Sequence, residues 1–166
     1  FVPKGPPVFL VIIISYILIK FGFGKKTIPF TKSQSLEKRR IFKKNNPLTR
    51  CKIGYDVQFK IFKKYPDLMR FEPSVGWVYS AFLSCFQTTL NHKWLKSIKI
   101  PILFLLAGDE NVVDSIKTEK MIENIDNKIV YVFKNAKHDL KNETSDVKIK
   151  MFKLIEKFIK KDEINT

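Results

Sequence analysis

Three acidic residues and one histidine occur in a pattern that could supply an acid and a base for proton transfer. Asp109, Glu110 and Asp114 follow an apolar run that ends at Leu106, and His138 lies downstream in the sequence KNAKHDL. A histidine can act as a general base near neutral pH. A carboxylate bonded to the second ring nitrogen of that histidine fixes its tautomer and stabilises the imidazolium formed in the reaction. These residue types therefore predict that His138 pairs with one of the carboxylates.

The segments around these residues have the pattern of a strand–helix–strand unit. Ile100–Leu106 shows no polar alternation, as in a strand buried on both faces of a parallel sheet. Ile129–Phe133 predicts the second strand, and Asp114 or Ser115 can cap the helix between them. Asp114 is expected to serve as this cap rather than as the acid. Because the carboxyl ends of parallel strands meet at one edge of a sheet, His138 and the remaining acids should lie together there.

A final helix is predicted to begin at Asp146 or Val147. Its apolar residues recur at helical spacing while its lysines lie mostly elsewhere, so one stripe should be buried. This stripe consists of Val147, Met151, Leu154, Ile155 and Phe158. The alternation of strands and helices implies a parallel α/β arrangement for residues 100–166.

The chain before residue 100 is less regular and carries helical stretches rich in aromatic residues. One predicted helix ends at Tyr65, and another covers Ser74–Leu90 with its first serine as the N-cap. Thr31–Arg50 is polar and strongly basic, which suits an exposed connection. Val8–Ile19 is free of charge but shorter than the roughly 20 residues of a membrane span, and it predicts a buried or membrane-facing helix.

The composition predicts a solvated, lysine-rich surface or, as the alternative, an anionic partner other than nucleic acid. The chain of 166 residues has 31 Lys and Arg against 16 Asp and Glu, a net charge of +15. Its basic residues are mostly lysines spread along the whole chain, whereas nucleic-acid modules concentrate charge and stacking aromatics on one face. A phospholipid surface is therefore the better match to this charge. An apolar content of 45% predicts a globular unit with a core.

Cysteine and histidine are too few and too scattered to predict a metal site. Cys51 and Cys85 match no ligand spacing, and His92 is expected at a surface or a helix end. No metal or cofactor is predicted. Reduced thiols of this kind are typical of a cytoplasmic protein.

The 166 residues contain no G-x-S-x-G, the turn that presents a serine nucleophile between a strand and a helix. Ser80 and Ser84 fall inside a helical pattern, and Gly76 in SVGWV lacks the second glycine of such a turn. The acid and the base are thus predicted without their nucleophile. The chain is therefore expected to be the C-terminal half of an enzyme.

Several strings resemble the monoglyceride lipase and lysophospholipase branch of the α/β-hydrolases, and within it the bacterial inner-membrane lysophospholipases, a group of serine aminopeptidase-like hydrolases. They are IPILFLLAGDENVVD, KNAKHDL, FVPKGPP, NNPLTR and FKKYPDLMRFEPSVGWVYSAF. The resemblance implies the C-terminal half of the α/β-hydrolase fold, with cap helices followed by a strand–helix–strand–helix part of a parallel sheet. It implies three regions: 1–30 after the nucleophile half, 31–99 as a helical cap or lid, and 100–166 as part of the core.

The same resemblance implies roles for the site residues. His138 would be the catalytic base. The acid of this branch stands two residues before the VV pair, where this chain has Glu110. Most relatives have Asp at that position, so the adjacent Asp109 is the alternative acid. The nucleophile would lie upstream of Phe1.

The function implied by the resemblance is hydrolysis of the fatty-acyl ester of lysophospholipids or monoacylglycerols, without a cofactor. The chain by itself would be inactive. The enzyme would be cytoplasmic and would contact the anionic inner membrane peripherally through its basic surface. The alternative is a non-catalytic or decayed hydrolase fragment that acts as a basic peripheral membrane binder.

Overall fold

The computed structural model describes residues 7–28, 41–68 and 72–161, which form helices followed by a small parallel sheet. In chain order the elements are α1 (Val8–Lys20), α2 (Lys52–Lys64), α3 (Val75–Leu90), α4 (His92–Ser97), β1 (Ile102–Ala107), α5 (Ser115–Glu123), β2 (Lys128–Phe133) and α6 (Ser145–Lys160). Short 3-10 turns cover Phe23–Lys25, Pro66–Leu68 and Leu140–Asn142. The predicted boundary between residues 30 and 31 lies outside the described residues, and the one between 99 and 100 falls between α4 and β1.

The two strands run parallel, and their pairing extends from Ile102 opposite Lys128 to Ala107 opposite Phe133. The predicted strand–helix–strand–helix order is therefore confirmed. β1 begins two residues later than predicted, because Pro101 has no N–H to donate to a ladder. Both strands end level with each other, so the loops that follow them leave from the same edge.

The core lies between one face of this sheet and α6. Phe133 and Ala136 are buried against α6, and Leu103, Leu105 and Tyr131 pack around them. All six residues of β1 are only half-buried, and the prediction that this strand is buried on both faces is wrong for the described part of the chain. The physical reason is that this core covers only one of the two faces.

The final helix buries most of the stripe that its sequence predicts, whereas Phe158 at the end of the stripe is only half-buried. Val147, Met151 and Leu154 of α6 are at most 7% exposed, and Ile155 packs beside them. The helix begins at Ser145, one residue before the predicted start.

The first helix, α1, packs against α3, with the Tyr16 and Tyr79 rings 6.0 Å apart. The only residue of α1 below 9% exposure is Ser15. Six large apolar side chains of α1 are more than 40% exposed: Phe9, Leu10, Ile13, Ile14, Tyr16 and Ile17. The expectation of a buried helix is therefore wrong, whereas the membrane-facing alternative stays a prediction. Among residues 7–28, 41–68 and 72–161, no helix has the length and apolar character needed to cross a membrane.

Helices α2 and α3 begin at side-chain caps. The Ser74 Oγ accepts a hydrogen bond from the Trp77 N–H at 3.2 Å, which confirms the predicted N-cap of α3. The thiol of Cys51 has the same role in α2 and accepts from the Gly54 N–H at 3.3 Å.

The segment before α2 corrects the prediction of an exposed connection over Thr31–Arg50. Residues 31–40 lie outside the described residues, but Thr49 is only 1% exposed. Its hydroxyl donates to the Asn142 carbonyl at 2.9 Å, which ties this segment to the loop after His138. The polar residues of the segment are therefore internal hydrogen-bonding groups as well as solvated ones.

Candidate active site

The turn that follows β1 is bonded to the loop that follows β2. The Gly108 N–H donates to the Phe133 carbonyl at 2.9 Å, and the Asp109 N–H donates to the Ala136 carbonyl at 3.0 Å. A Cβ at position 108 would lie 2.4 Å from the Lys134 carbonyl oxygen, so only glycine permits this approach. These contacts carry the alignment of the two strands two residues beyond their ends.

His138 and Glu110 meet at this edge of the sheet. The Nδ1 atom of His138 lies 2.8 Å from Oε2 of Glu110, and the two side chains are 26% and 8% exposed. The other carboxylate oxygen, Oε1, accepts from the Val112 N–H at 2.6 Å and from the Val113 N–H at 3.1 Å. The carboxylate is thus fixed by its own turn on one side while it holds the imidazole on the other.

The surroundings of Glu110 favour its ionised form. Burial raises the pKa of this carboxyl group, but the hydrogen bonds from His138, Val112 and Val113 and the charge of the imidazolium lower it by more. The net result is a pKa below the ordinary value of 4.5. Glu110 is therefore an anion at neutral pH and can only accept hydrogen bonds.

This pairing determines which nitrogen of His138 carries the proton in the neutral ring. Because an ionised carboxylate has no proton to donate, Nδ1 must carry the hydrogen of the 2.8 Å contact. In the neutral imidazole the lone pair then belongs to Nε2, which is the tautomer that a general base requires. The carboxylate would also stabilise the imidazolium once Nε2 has taken a proton.

The other candidate acids lie in different surroundings. Asp109 is exposed, and its Oδ1 accepts from the side-chain amide of Asn111 at 2.8 Å within the same turn. Asp114 is the N-cap of α5 and accepts from the Lys117 N–H at 3.0 Å, as its sequence position predicts. Of the two acids left open by the sequence, the structure thus brings Glu110 and not Asp109 to His138. Their catalytic roles stay predictions.

His92 is exposed at the first position of α4, in agreement with its predicted place at a helix end. In the described part of the chain, no three His, Cys, Asp or Glu residues come together in a group that could hold a metal ion.

A curated relative aligns with more than half of this chain. The chain is 30% identical over 114 residues to the "Probable lysophospholipase L2" of Haemophilus influenzae, and the match covers 69% of this chain. The chain spans about a third, 36%, of the length of that relative. None of the known protein-family models matches the chain.

Two solved structures have the same fold. A soluble variant of monoglyceride lipase from Saccharomyces cerevisiae, in complex with a substrate analogue, matches 92% of this chain with a TM-score of 0.65 and 17% identity. A thermostable carboxyl esterase from Bacillus coagulans, in complex with glycerol, matches 96% of it with a TM-score of 0.62 and 15% identity. The chain therefore has part of the α/β-hydrolase fold, and its sequence is similar to that of a probable lysophospholipase. It spans about half of each of the two solved chains, 49% and 54%.

The described residues have the part of the fold that the sequence implies. The resemblance to the lysophospholipase branch and the C-terminal α/β-hydrolase architecture are both confirmed. The parallel pair β1 and β2 and the helices around it fit a C-terminal portion of that fold. The separation into the regions 1–30, 31–99 and 100–166 stays a prediction.

One residue of the loop that follows His138 was missed by the sequence patterns. Glu143, five positions after His138, is fully buried, and its carboxylate bonds Arg50 in the segment before α2. A glutamate near the start of a lysine-rich helix is usually exposed, so composition gives no signal for it. The string NNPLTR resembles the family, but the sequence does not show that this string contacts the histidine loop. That contact appears only in the tertiary structure.

Proposed function

We propose that this chain supplies the base and its orienting acid to a serine hydrolase that cleaves the fatty-acyl ester of lysophospholipids or monoacylglycerols. The observation that carries the proposal is the 2.8 Å contact between His138 Nδ1 and Glu110 at the carboxyl ends of two parallel strands. Its support from outside the chain is the similarity to the lysophospholipase of Haemophilus influenzae.

In the proposed reaction, His138 moves one proton between the nucleophile and the leaving group. A serine hydroxyl attacks the ester carbonyl while Nε2 of His138 takes its proton. The imidazolium, stabilised by Glu110, then gives that proton to the alkoxide of the glycerol part as the ester C–O bond breaks. Water cleaves the acyl-enzyme by the same proton path and releases the fatty acid, which leaves His138 neutral.

The helices before β1 suit a fatty-acyl substrate. Exposed apolar side chains lie on α2 and α3, among them Ile53, Ile61 and Trp77, which are 74%, 46% and 62% exposed. We propose that this part of the chain acts as the lid, which covers the acyl chain and excludes water from the ester.

Hydrolysis of a lysophospholipid by the full-length protein that the gene encodes tests the proposal. His138→Ala should lower kcat by about 10,000-fold with the fold intact, because the base is lost. His92→Ala is the matched control and should leave kcat within about twofold, since that residue is exposed on α4. Full activity of the His138→Ala protein, or equal losses in both variants, would contradict the proposal.

The neighbouring acids provide a second matched pair in the same assay. Glu110→Gln should lower kcat by about 1,000- to 10,000-fold, because the amide cannot hold the required tautomer in the same way. Asp109→Asn should change kcat only slightly, since Asp109 bonds within its own turn. A larger loss in Asp109→Asn than in Glu110→Gln would reassign the acid.

We also propose that the 166-residue chain alone does not turn over esters, since it has no serine in a G-x-S-x-G turn. Esterase activity of the purified chain that disappears in His138→Ala would disprove this.

A second candidate function is peripheral binding to an anionic membrane, with or without hydrolysis. It is favoured by the net charge of +15 together with the exposed apolar side chains of α1. Apolar residues beside lysines are the combination that attaches proteins to anionic lipid surfaces. Binding to lipid vesicles of defined charge tests this candidate.

A further inference from the structure

The two residues that flank His138 are both hydrogen-bonded to the same neighbouring segment. The Asp139 N–H donates to the Leu48 carbonyl at 2.8 Å. On the other side, the Lys137 side chain donates to the Asn46 carbonyl at 2.6 Å. The histidine is thus bracketed by contacts with residues 46–50, which are about 90 positions away in the sequence.

Glu143 joins this segment to the histidine loop from inside the protein. Glu143 is 0% exposed, and its carboxylate accepts four hydrogen bonds. Oε1 accepts from the backbone N–H groups of Arg50 at 2.9 Å and Lys137 at 3.1 Å. Oε2 accepts from the Arg50 Nε at 3.3 Å and from the Thr144 N–H at 3.2 Å. One carboxylate thereby fixes the residue before His138, the start of α6 and the segment before α2.

The segment itself has a defined shape. The Asn46 Oδ1 accepts from the backbone N–H groups of Leu48 and Thr49, both at 3.0 Å. At the start of α2, a Cβ on Gly54 would lie 1.8 Å from the Asn142 carbonyl oxygen, so the helix and the histidine loop are in direct backbone contact. A shaped and closely packed segment can hold a loop in one position, whereas a mobile connection could not.

We propose that Glu143 is a positioning residue for His138. By tying Arg50 to Lys137 it keeps the histidine loop where Nδ1 of His138 meets Glu110, and so maintains the tautomer with the lone pair on Nε2. It does not touch the reacting groups. This positioning role rests on the proposed function, in which His138 needs the lone pair on Nε2 to act as the base.

The test uses Glu143→Gln in the full-length protein, because glutamine has nearly the same shape but removes the charge and one strong acceptor. The ¹⁵N signals of the His138 imidazole, assigned by their loss in His138→Ala, report which nitrogen carries the proton. We expect the neutral ring of the unaltered protein to carry it on Nδ1 and Glu143→Gln to populate both tautomers. In the ester assay, kcat should fall by about 10- to 100-fold while KM stays within about twofold.

Glu156→Gln is the control, because Glu156 is an exposed glutamate of α6, the helix that follows Glu143, and pairs with Lys160 at the surface. It should leave the ¹⁵N signals and kcat unchanged. If Glu143→Gln does not fold, Arg50→Gln replaces it. Arg50 is 37% exposed, and its loss leaves the three backbone donors to Glu143 in place. That variant should shift the tautomers in the same direction by a smaller amount.

A folded Glu143→Gln or Arg50→Gln protein with unaltered His138 signals would overturn the positioning role. The role would also be overturned if either variant were less stable but showed no change in the His138 tautomer or in kcat. A different result would disprove the proposed function. If the unaltered protein hydrolyses none of the esters, that function is wrong, while the ¹⁵N spectra still decide whether Glu143 orients His138.

Discussion

At the scale of single residues, the turn after β1 decides which of two adjacent carboxylates bonds His138. Asp109 and Glu110 are adjacent in the sequence, so their sequence separations from His138 differ by only one residue. The turn sends the Asp109 side chain to Asn111 and the Glu110 side chain to His138. The glutamate also accepts from two backbone N–H groups of its own turn, so its carboxylate is held on both sides.

The lowered pKa of Glu110 predicts how its contribution to stability changes with pH. Because the folded-state pKa lies below the ordinary 4.5, the ionised form stabilises the folded protein above that pH. This contribution is lost as the pH falls through the lowered pKa. We expect Glu110→Gln to lower the free energy of unfolding by about 1 to 3 kcal/mol at neutral pH.

Urea unfolding of both proteins at several pH values measures this difference, which should shrink below pH 4.5. Asp109→Asn serves as the control, since its carboxylate is exposed. A Glu110→Gln deficit that is the same at pH 4 and below as at neutral pH would show that the charge of Glu110 is not its source.

At the scale of elements, the site depends on how closely two strand ends approach. Gly108 lies against the backbone of Lys134, and the hydrogen bonds from Gly108 and Asp109 extend the alignment of β1 and β2. Backbone contacts therefore bring together the two loops that carry Glu110 and His138.

We predict that Gly108→Ala separates the two loops. The added Cβ would lie 2.4 Å from a carbonyl oxygen of the backbone, so the strand ends must move apart. The expected cost is about 1 to 3 kcal/mol in the free energy of unfolding, with a kcat loss larger than that of any surface variant.

Gly24→Ala is the control for this variant, because a Cβ there would only make ordinary contact with Ile19 at 3.5 Å. Urea unfolding and the ester assay measure both effects. Gly108→Ala with the stability and kcat of the unaltered protein would show that the approach of the strand ends does not position the pair.

At the scale of the whole molecule, charge and exposed apolar surface occur together. The excess of basic residues is distributed over the chain, while α1 presents a continuous set of large apolar side chains. A lipid surface that is both anionic and apolar below its head groups matches both features.

We predict that the protein binds vesicles with anionic lipid more tightly than neutral vesicles and that salt weakens the binding, because the attraction of each lysine is screened. Replacing Ile13 and Ile17 of α1 with Asn should weaken binding by about 10-fold or more. Ile149→Asn on α6, which is 56% exposed, is the control for an apolar residue outside α1. Co-sedimentation with vesicles measures the binding, and equal effects of the α1 and α6 variants would exclude α1 as the contact.

Sequence periodicity by itself determined the order of the elements. The apolar runs 100–106 and 129–133 and the single stripe of α6 specify strands and a helix, because burial of apolar side chains follows the period of each structure. Capping by Ser74 and Asp114 was equally predictable, since those side chains bond N–H groups only three residues away.

Contacts between distant parts of the chain were decided by the tertiary structure alone. The choice of Glu110 over Asp109 as the partner of His138, the exposure of α1 and the buried position of Glu143 depend on which backbones approach each other. The hydrogen bond that the Arg50 N–H donates to Glu143 joins residues 93 positions apart. Local sequence patterns carry information over a few residues, whereas a hydrogen bond of this kind forms only after the segments have packed together.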